Sequence, residues 1–256
     1  MGAQDFLLEK MKDITDIFLI GKGASIDALN LAVLDAPSSL VINVNDSEHI
    51  AVGEIGVFAD DWVLRFSKKT VGGCRMYVVP DDVVEMAQII GKPILPISKF
   101  LDESGAGFHR KVRQLEEAGN ERSAVVLALD LACSLAQRAS RGRMLPIYLL
   151  GFDFGAGQRP SSKIKKDFSE DDEGYRRAVF DREEEIFRTI HSWSKQHAGF
   201  CLLHVGDKKY SDIFPENFNQ LSEKSRVPNY SELNDRSRRI DAPQVADAQR
   251  VRIVAE

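Results

Sequence analysis

Apolar residues in this chain gather into short, nearly continuous runs, and stretches with helical spacing lie between those runs. Asp16–Ile20, Ser39–Asn43, Glu54–Phe58, Arg75–Val79, Ile147–Gly151 and Gly199–His204 read as strands. An unbroken apolar run that ends in glycine suits a strand buried on both faces, delivering its carboxyl end to a crevice. Residues 5–13, Ser25–Leu34, Asp81–Ile90, Phe108–Ala118, Ala124–Ala139 and Asp181–His197 carry helical patterns. The alternation predicts an α/β chain, Rossmann-like and doubly wound, with a mainly parallel sheet and helices on both faces. Ala124–Ala139 is nearly all Ala, Leu and Val, so it must be buried along most of its length, packed on the sheet before the strand that precedes Asp153.

The polar stretches divide the chain. From Ala156 to Tyr175, Gly, Pro, Ser and Lys give way to the acidic run Ser169–Glu173, which can build no core. This is a long loop off the Asp153 strand, read either as a lid or as a solvated excursion. Asp212–Phe214 opens an irregular stretch. The expected organisation is one nucleotide-sugar-binding domain over residues 1–227, a polar linker over 228–250, and at 251–256 the first strand of a following domain.

Composition narrows the class. With 256 residues, 43% of them hydrophobic and 29% charged, the chain can bury a full core. The 34 Lys and Arg against 39 Asp and Glu give a net charge of −5, and the basic residues form no stripe, so nucleic acid is not an expected partner. No apolar stretch has the length of a membrane span, and the amino terminus lacks the pattern of a secretory signal; the expectation is a cytoplasmic protein. Cys74, Cys133 and Cys201 are far apart in apolar surroundings and read as core thiols. The five histidines show no metal-ligand spacing, so no metal site is expected.

The candidate chemistry sits at the strand ends. In Gly21-Lys22-Gly23-Ala24-Ser25-Ile26, the glycines let backbone approach an anion, and the amides from Gly21 to Ser25 together with the Ser25 hydroxyl could hold a phosphate or ribose. Asn45 and Asp60, at neighbouring strand ends, offer amide and carboxylate groups to ribose hydroxyls or a base edge, and Asp153 follows Gly151 at another strand end. Ser123 opens the buried helix, either as its cap or as a ligand contact. Tyr175, Arg176 and Arg177 could clamp a phosphate, although none is a comfortable general base at neutral pH. His109, after Ser104-Gly105-Ala106-Gly107, is the candidate for proton transfer, with the bland alternative of a capping or solvated residue. His191 and His197 are expected at the surface, and His204 ends a strand on the crevice side.

Several of these runs, in order, resemble the bacterial lipooligosaccharide sialyltransferases. That family's first strand ends in Gly-Asn-Gly-Pro-Ser-Leu, which Gly21–Ile26 is similar to; its Arg-Cys-Asn and Phe-Tyr-Asn strand ends resemble Asn43-Val44-Asn45 and Phe58-Ala59-Asp60. Its Thr-Ser-Gly helix opening looks like Arg122-Ser123-Ala124, and its Ile-Tyr-Leu-Ser-Gly-Ile-Asp-Phe strand is answered by Ile147–Phe154. The likeness spans roughly residues 16–205. It implies a cytidine monophosphate (CMP)-activated acidic sugar as donor substrate, a saccharide acceptor and no separate cofactor. It also implies site roles for Gly21, Lys22, Gly23, Ser25, Asn45, Asp60, Ser123, Gly151, Tyr175 and Arg176 around Asp153. Three departures stand out: Lys22 replaces the asparagine of the glycine loop, Gly155 stands where the family has an aromatic after the Asp-Phe pair, and no histidine precedes the late helix, where the family keeps its base.

Val251–Glu256 looks like the opening strand of the sialic acid synthase barrel, which implies an attached C-terminal domain in a longer protein. A homo-oligomer is compatible with the same reading. Two rivals remain: a binding module without turnover beside a nonulosonic acid synthase, and a magnesium-dependent pyrophosphokinase similar to the pterin kinases, its metal held by Asp60, Asp61 and Asp153. A nicotinamide dehydrogenase is disfavoured, because Ile26 stands at the third glycine of that fingerprint and Asn45 rather than an acidic residue ends the second strand.

Overall fold

The computed structural model describes residues 2–60, 63–64, 71–100, 123–139, 143–154, 160–162, 173–197 and 199–223. Seven strands of the described residues form one sheet: β1 (Asp16–Ile20), β2 (Ser39–Val44), β3 (Ile55–Val57), β4 (Met76–Val79), β5 (Ile94–Pro96), β6 (Leu145–Leu150) and β7 (Phe200–Val205). Their order is β5-β4-β3-β2-β1-β6-β7, and every pairing is parallel. The chain winds outward from β1 to β5, then returns to the far side of β1 for β6 and β7. This reversal puts the topological switch point between β1 and β6, where open α/β sheets hold their ligands outside the carboxyl ends of the strands.

The Rossmann-like α/β class expected from the sequence is the one observed. Side chains alternate across the pleat, so Ile17, Leu19, Ile42, Ile147 and Leu202 enter one core, while Phe18, Ile20, Val41, Tyr148 and Leu203 enter the other. The first core is closed by α1 (Ala3–Lys10) and two longer helices, Ala124–Ala139 and Glu173–His197; between α1 and these runs the short helix α2 (Val84–Ala87), so they are α3 and α4. The second core is closed by 3-10 turns after β1 and by α5 (Pro215–Glu223). α3 is buried almost throughout, as its composition requires.

Five elements differ from the sequence reading. The helix expected over Asp81–Ile90 is α-helical only at Val84–Ala87, between 3-10 turns at Asp81–Val83 and Gln88–Ile90, and α4 begins at Glu173 rather than Asp181, taking in the last residues read as loop. The helix expected over Ser25–Leu34 is two five-residue 3-10 turns, Ala24–Ala28 and Leu31–Asp35, interrupted where Leu29 is extended and Asn30 turns its side chain to cap Ala32. β5 was not expected, because Ile94-Leu95-Pro96, preceded by Pro93, carries too little pattern to register. α5 lies in the stretch read as irregular; it begins with Pro215 at its first position and buries Phe218, Leu221 and Ser222. The helix expected over Phe108–Ala118, the linker over 228–250, the strand at 251–256 and most of the loop over 156–175 lie outside the described residues. No helix of the described residues is long and apolar enough to cross a membrane.

Candidate functional site

The tips of β3, β2, β1 and β6 are contiguous, so Asp60, Asn45, Gly21 and Asp153 lie along one edge of the sheet. The glycine turn is fastened to the end of β6. Gly21 N–H donates to the Leu150 carbonyl at 2.8 Å, Gly23 N–H donates to the Gly151 carbonyl at 2.8 Å, and Ser25 N–H donates to Asp153 Oδ2 at 3.0 Å. A Cβ on Gly23 would lie 2.4 Å from the Asp153 carboxylate, and Gly151 takes a left-handed φ of +72° to turn the chain there. Pro160–Ser162 crosses the same turn: Pro160 bridges Gly23, Ser161 N–H donates to the Lys22 carbonyl at 2.7 Å, and both serines bond Asp27.

This arrangement corrects one expectation. The amides of Gly21, Gly23 and Ser25, read from the sequence as a phosphate cradle, donate within the protein, and they lead into a single 3-10 segment rather than a helix with a full dipole. Polar side chains stand on the same edge. Lys22 Nζ pairs with Asp46 Oδ1 at 2.7 Å, joining the β1 tip to the β2 tip. The Ser25 hydroxyl and the Asn45 side-chain oxygen are both shielded from solvent and have no hydrogen-bond partner among the described residues. Buried polar atoms are nearly always paired, so two orphans on adjacent strand tips need an explanation.

Asn45 is held there by the turn at the end of β2. Its φ of +55° is left-handed, and its amide donates to the Val57 carbonyl at 2.8 Å. Behind it, Ser47 Oγ accepts from the Val44 amide, and the Asn43 side chain bonds both Gly53 and Ala51. Buried Glu48 accepts from the amides of Gly73 and Cys74 and from the Tyr77 hydroxyl. Asn tolerates the left-handed region better than most residues, which is the local reason for its use.

Ser123 answers an alternative the sequence left open. Its Oγ accepts from the amides of Val125 at 3.1 Å and Val126 at 3.4 Å, so it caps α3, and its hydroxyl donates to Glu183 Oε1 at 2.5 Å. Glu183 is 9% exposed on α4. Burial pushes its carboxyl up to about 7, against the Ser123 bond and the nearby Lys22 charge, which hold it down. Sequence reasoning passed over it inside the run Glu183-Glu184-Glu185. A signal was present: of the three glutamates, Glu183 alone is in phase with the buried stripe Ile186, Phe187 and Ile190.

On the far side of Asp153, His204 at the end of β7 bonds the Phe152 carbonyl through Nε2 at 2.7 Å and Ser211 Oγ through Nδ1 at 2.9 Å. Burial depresses its proton affinity, so it stays a neutral tie between β7 and the β6 tip. His191 is buried rather than superficial as expected, and bonds Asp212 at 2.7 Å. Burial alone would raise the Asp212 carboxyl, but His191, the His204 amide and Lys195 draw it below its usual range. Replacing His204 with alanine strands the Phe152 carbonyl and Ser211, and is expected to cost about 2–3 kcal/mol in urea unfolding.

Asp60 is exposed beyond β3. Tyr175 and Arg176 fall in the first turn of α4. His109 and Asp61 lie outside the described residues. Among the described residues, no group of three or more His, Cys, Asp or Glu is arranged to hold a metal ion.

Fold and edge together define a Rossmann-like domain with polar side chains along the carboxyl edge of its sheet. No family model matches the chain, and no curated protein matches it significantly. Solved structures similar to it include the sialyltransferase CST-II in complex with a trisaccharide acceptor and CMP, with a TM-score of 0.49 and 13% identity over 80% of this chain and 87% of that one. Another is the Campylobacter jejuni sialyltransferase CstII with the substrate analogue CMP-3FNeuAc, with a TM-score of 0.47 and 13% identity over 80% and 88%.

Proposed function

We propose that this chain is a glycosyltransferase-like domain that binds a CMP-activated acidic sugar at the carboxyl edge of the sheet and passes the sugar to a saccharide acceptor. The observation that carries the reading is the pair of atoms Ser25 Oγ and Asn45 Oδ1, without partners among the described residues, at the tips of β1 and β2 beside the switch point. A nucleoside monophosphate supplies hydroxyl and amine donors for both. Lys22, already in this edge, gives the phosphate a cation; the resemblance to the sialyltransferases adds Tyr175 and Arg176 as candidates for the same phosphate. The run of strand-end motifs similar to the sialyltransferases supports the choice of cytidine and of an acidic sugar.

The test is thermal unfolding with CMP, with adenosine triphosphate plus magnesium, and with a nicotinamide dinucleotide. A ligand at a hundred times its dissociation constant stabilises the native state by about 2.7 kcal/mol, a shift of several degrees. CMP alone is expected to produce it, and Asn45→Ala is expected to weaken CMP about tenfold, the loss of one hydrogen bond. A shift with magnesium and adenosine triphosphate alone would replace this reading with phosphoryl transfer. Binding without turnover is the second reading, favoured because residues 173–190 carry no histidine; an assay of sugar transfer separates it from the first.

A further inference from the structure

We propose that Glu183 is the proton acceptor of this site, taking the proton from the attacking hydroxyl as the sugar leaves CMP; this rests on the transfer reading above. The placement comes from lengths. α4 ends at His197 and feeds β7 at Phe200, so it runs antiparallel to the strands. Fourteen residues back from His197 at about 1.5 Å each is about 21 Å, close to the span of a six-residue strand at about 3.3 Å per residue. Glu183 therefore stands level with the strand tips. α3 also runs antiparallel into β6, which brings its cap Ser123 to the same level, and the Ser123–Glu183 bond confirms that the two helices meet there.

The surroundings suit a base. Charged and hydrogen-bonding groups reach Glu183 from two other elements: Lys22, paired with Asp46, from the strand tips, and the Ser123 hydroxyl from α3. Ser123 occupies Oε1 and fixes the rotamer, and Oε2 makes no hydrogen bond among the described residues. The α3 cap needs just the serine oxygen, so the cap does not account for a carboxylate in this position. A buried acid that titrates near 7 matches a general base working at neutral pH.

In the transfer step the acceptor oxygen bonds to the anomeric carbon while its proton passes to Glu183. The bond from the anomeric carbon to the phosphate oxygen breaks, and its electron pair leaves with CMP, whose charge faces Lys22. Glu183 then returns the proton to water.

The experiment uses CMP-N-acetylneuraminate with lactose or water as acceptor, following CMP release over pH 5–9, alongside CMP thermal shifts and circular dichroism. Glu183→Gln keeps the shape and can still accept from Ser123. It is expected to keep the CMP shift, lower kcat about 10²–10³-fold and lose the acidic limb of the pH profile. Glu183→Asp is expected to retain part of the turnover with that limb displaced. Parental kcat and pH profile in Glu183→Gln overturn the proposal, as does loss of CMP binding in parallel with kcat, which marks a structural role. Parental protein that binds CMP and releases none from the donor overturns it in favour of a binding module. No CMP shift in the parent overturns the underlying reading with it.

Discussion

Gly21→Ala is expected to destabilise the protein by about 3 kcal/mol or more and to abolish the CMP thermal shift. A Cβ at Gly21 would sit 2.4 Å from the Gly151 carbonyl oxygen, 3.0 Å from its carbon and 3.1 Å from the Phe152 ring. The first two are backbone atoms of a strand end flanked by β1 and β7, so relief by side-chain rotation is closed off. Relief by backbone displacement breaks the 2.8 Å bond from Gly21 to Leu150 and carries away the Gly23 and Asp153 contacts that shape the site. Gly91→Ala is the comparison: its φ of +70° is left-handed, yet no atom lies within 4 Å of the added carbon. That variant is expected to lose about 1 kcal/mol from backbone strain alone. Urea unfolding of both checks the ranking, and a Gly21→Ala variant as stable as Gly91→Ala would mean that the two strand tips do not meet.

The sheet was legible because its central strands are buried on both faces. Asp16–Ile20 matches β1 residue for residue, and Ser39–Asn43, Glu54–Phe58, Arg75–Val79, Ile147–Gly151 and Gly199–His204 overlap their strands with ends shifted by one or two residues. Burial writes an apolar run into such a strand. β5 at the sheet edge has partly buried ends, and its pattern is correspondingly thin. The error over Ser25–Leu34 has a different source. Its spacing of apolar residues suits a helix, but Ile26 and Val33 reach the core from 3-10 turns, and Leu29 from the extended link between them, pinned by α5, where Asn219 accepts from Asn30 and Ser222 accepts from Val33. Contacts 189 residues away in sequence leave no local trace.

The shared edge of the candidate residues was legible in the sequence, and the bonds among them were not. Residue types at strand ends pointed to Gly21, Asn45 and Asp153 together, and the topology puts them there. Which atoms are already satisfied depends on distant partners: Asp153 takes the Ser25 amide across 128 residues, and Ser123 reaches Glu183 across 60. Among the described residues, the amides of Gly21, Gly23 and Ser25 are already paired while Ser25 Oγ and Asn45 Oδ1 are not, a distinction that neighbouring residues in the sequence do not encode.

Two buried acids make stability depend on pH in an unusual direction. Burial raises Asp16 to about 6, against the hydrogen bond donated by Thr15, and raises Glu183 to about 7, against Ser123 and Lys22. In both, the folded state binds the proton more tightly than the unfolded chain, whose ordinary values are 3.8 and 4.5. The stabilisation is therefore complete below about pH 4 and is lost as pH rises through about 6 for Asp16 and about 7 for Glu183. At about 1.4 kcal/mol per pH unit of displacement, each acid contributes on the order of 2–3 kcal/mol. His204 works the other way: its lowered affinity costs stability as pH falls below about 6.5, so the parent's profile is a sum of opposed slopes. Differences against isosteric variants isolate the acids. Asp16→Asn and Glu183→Gln are each expected to match the parent near pH 4 and to exceed its stability by about 2–3 kcal/mol above pH 7, with nearly additive gains in the double variant because the two lie at opposite ends of the sheet. Urea titrations at half-unit intervals from about pH 4 to 8 measure this. Differences that stay flat across that range would show both carboxylates solvated, and would remove the buried proton site on which Glu183's role depends.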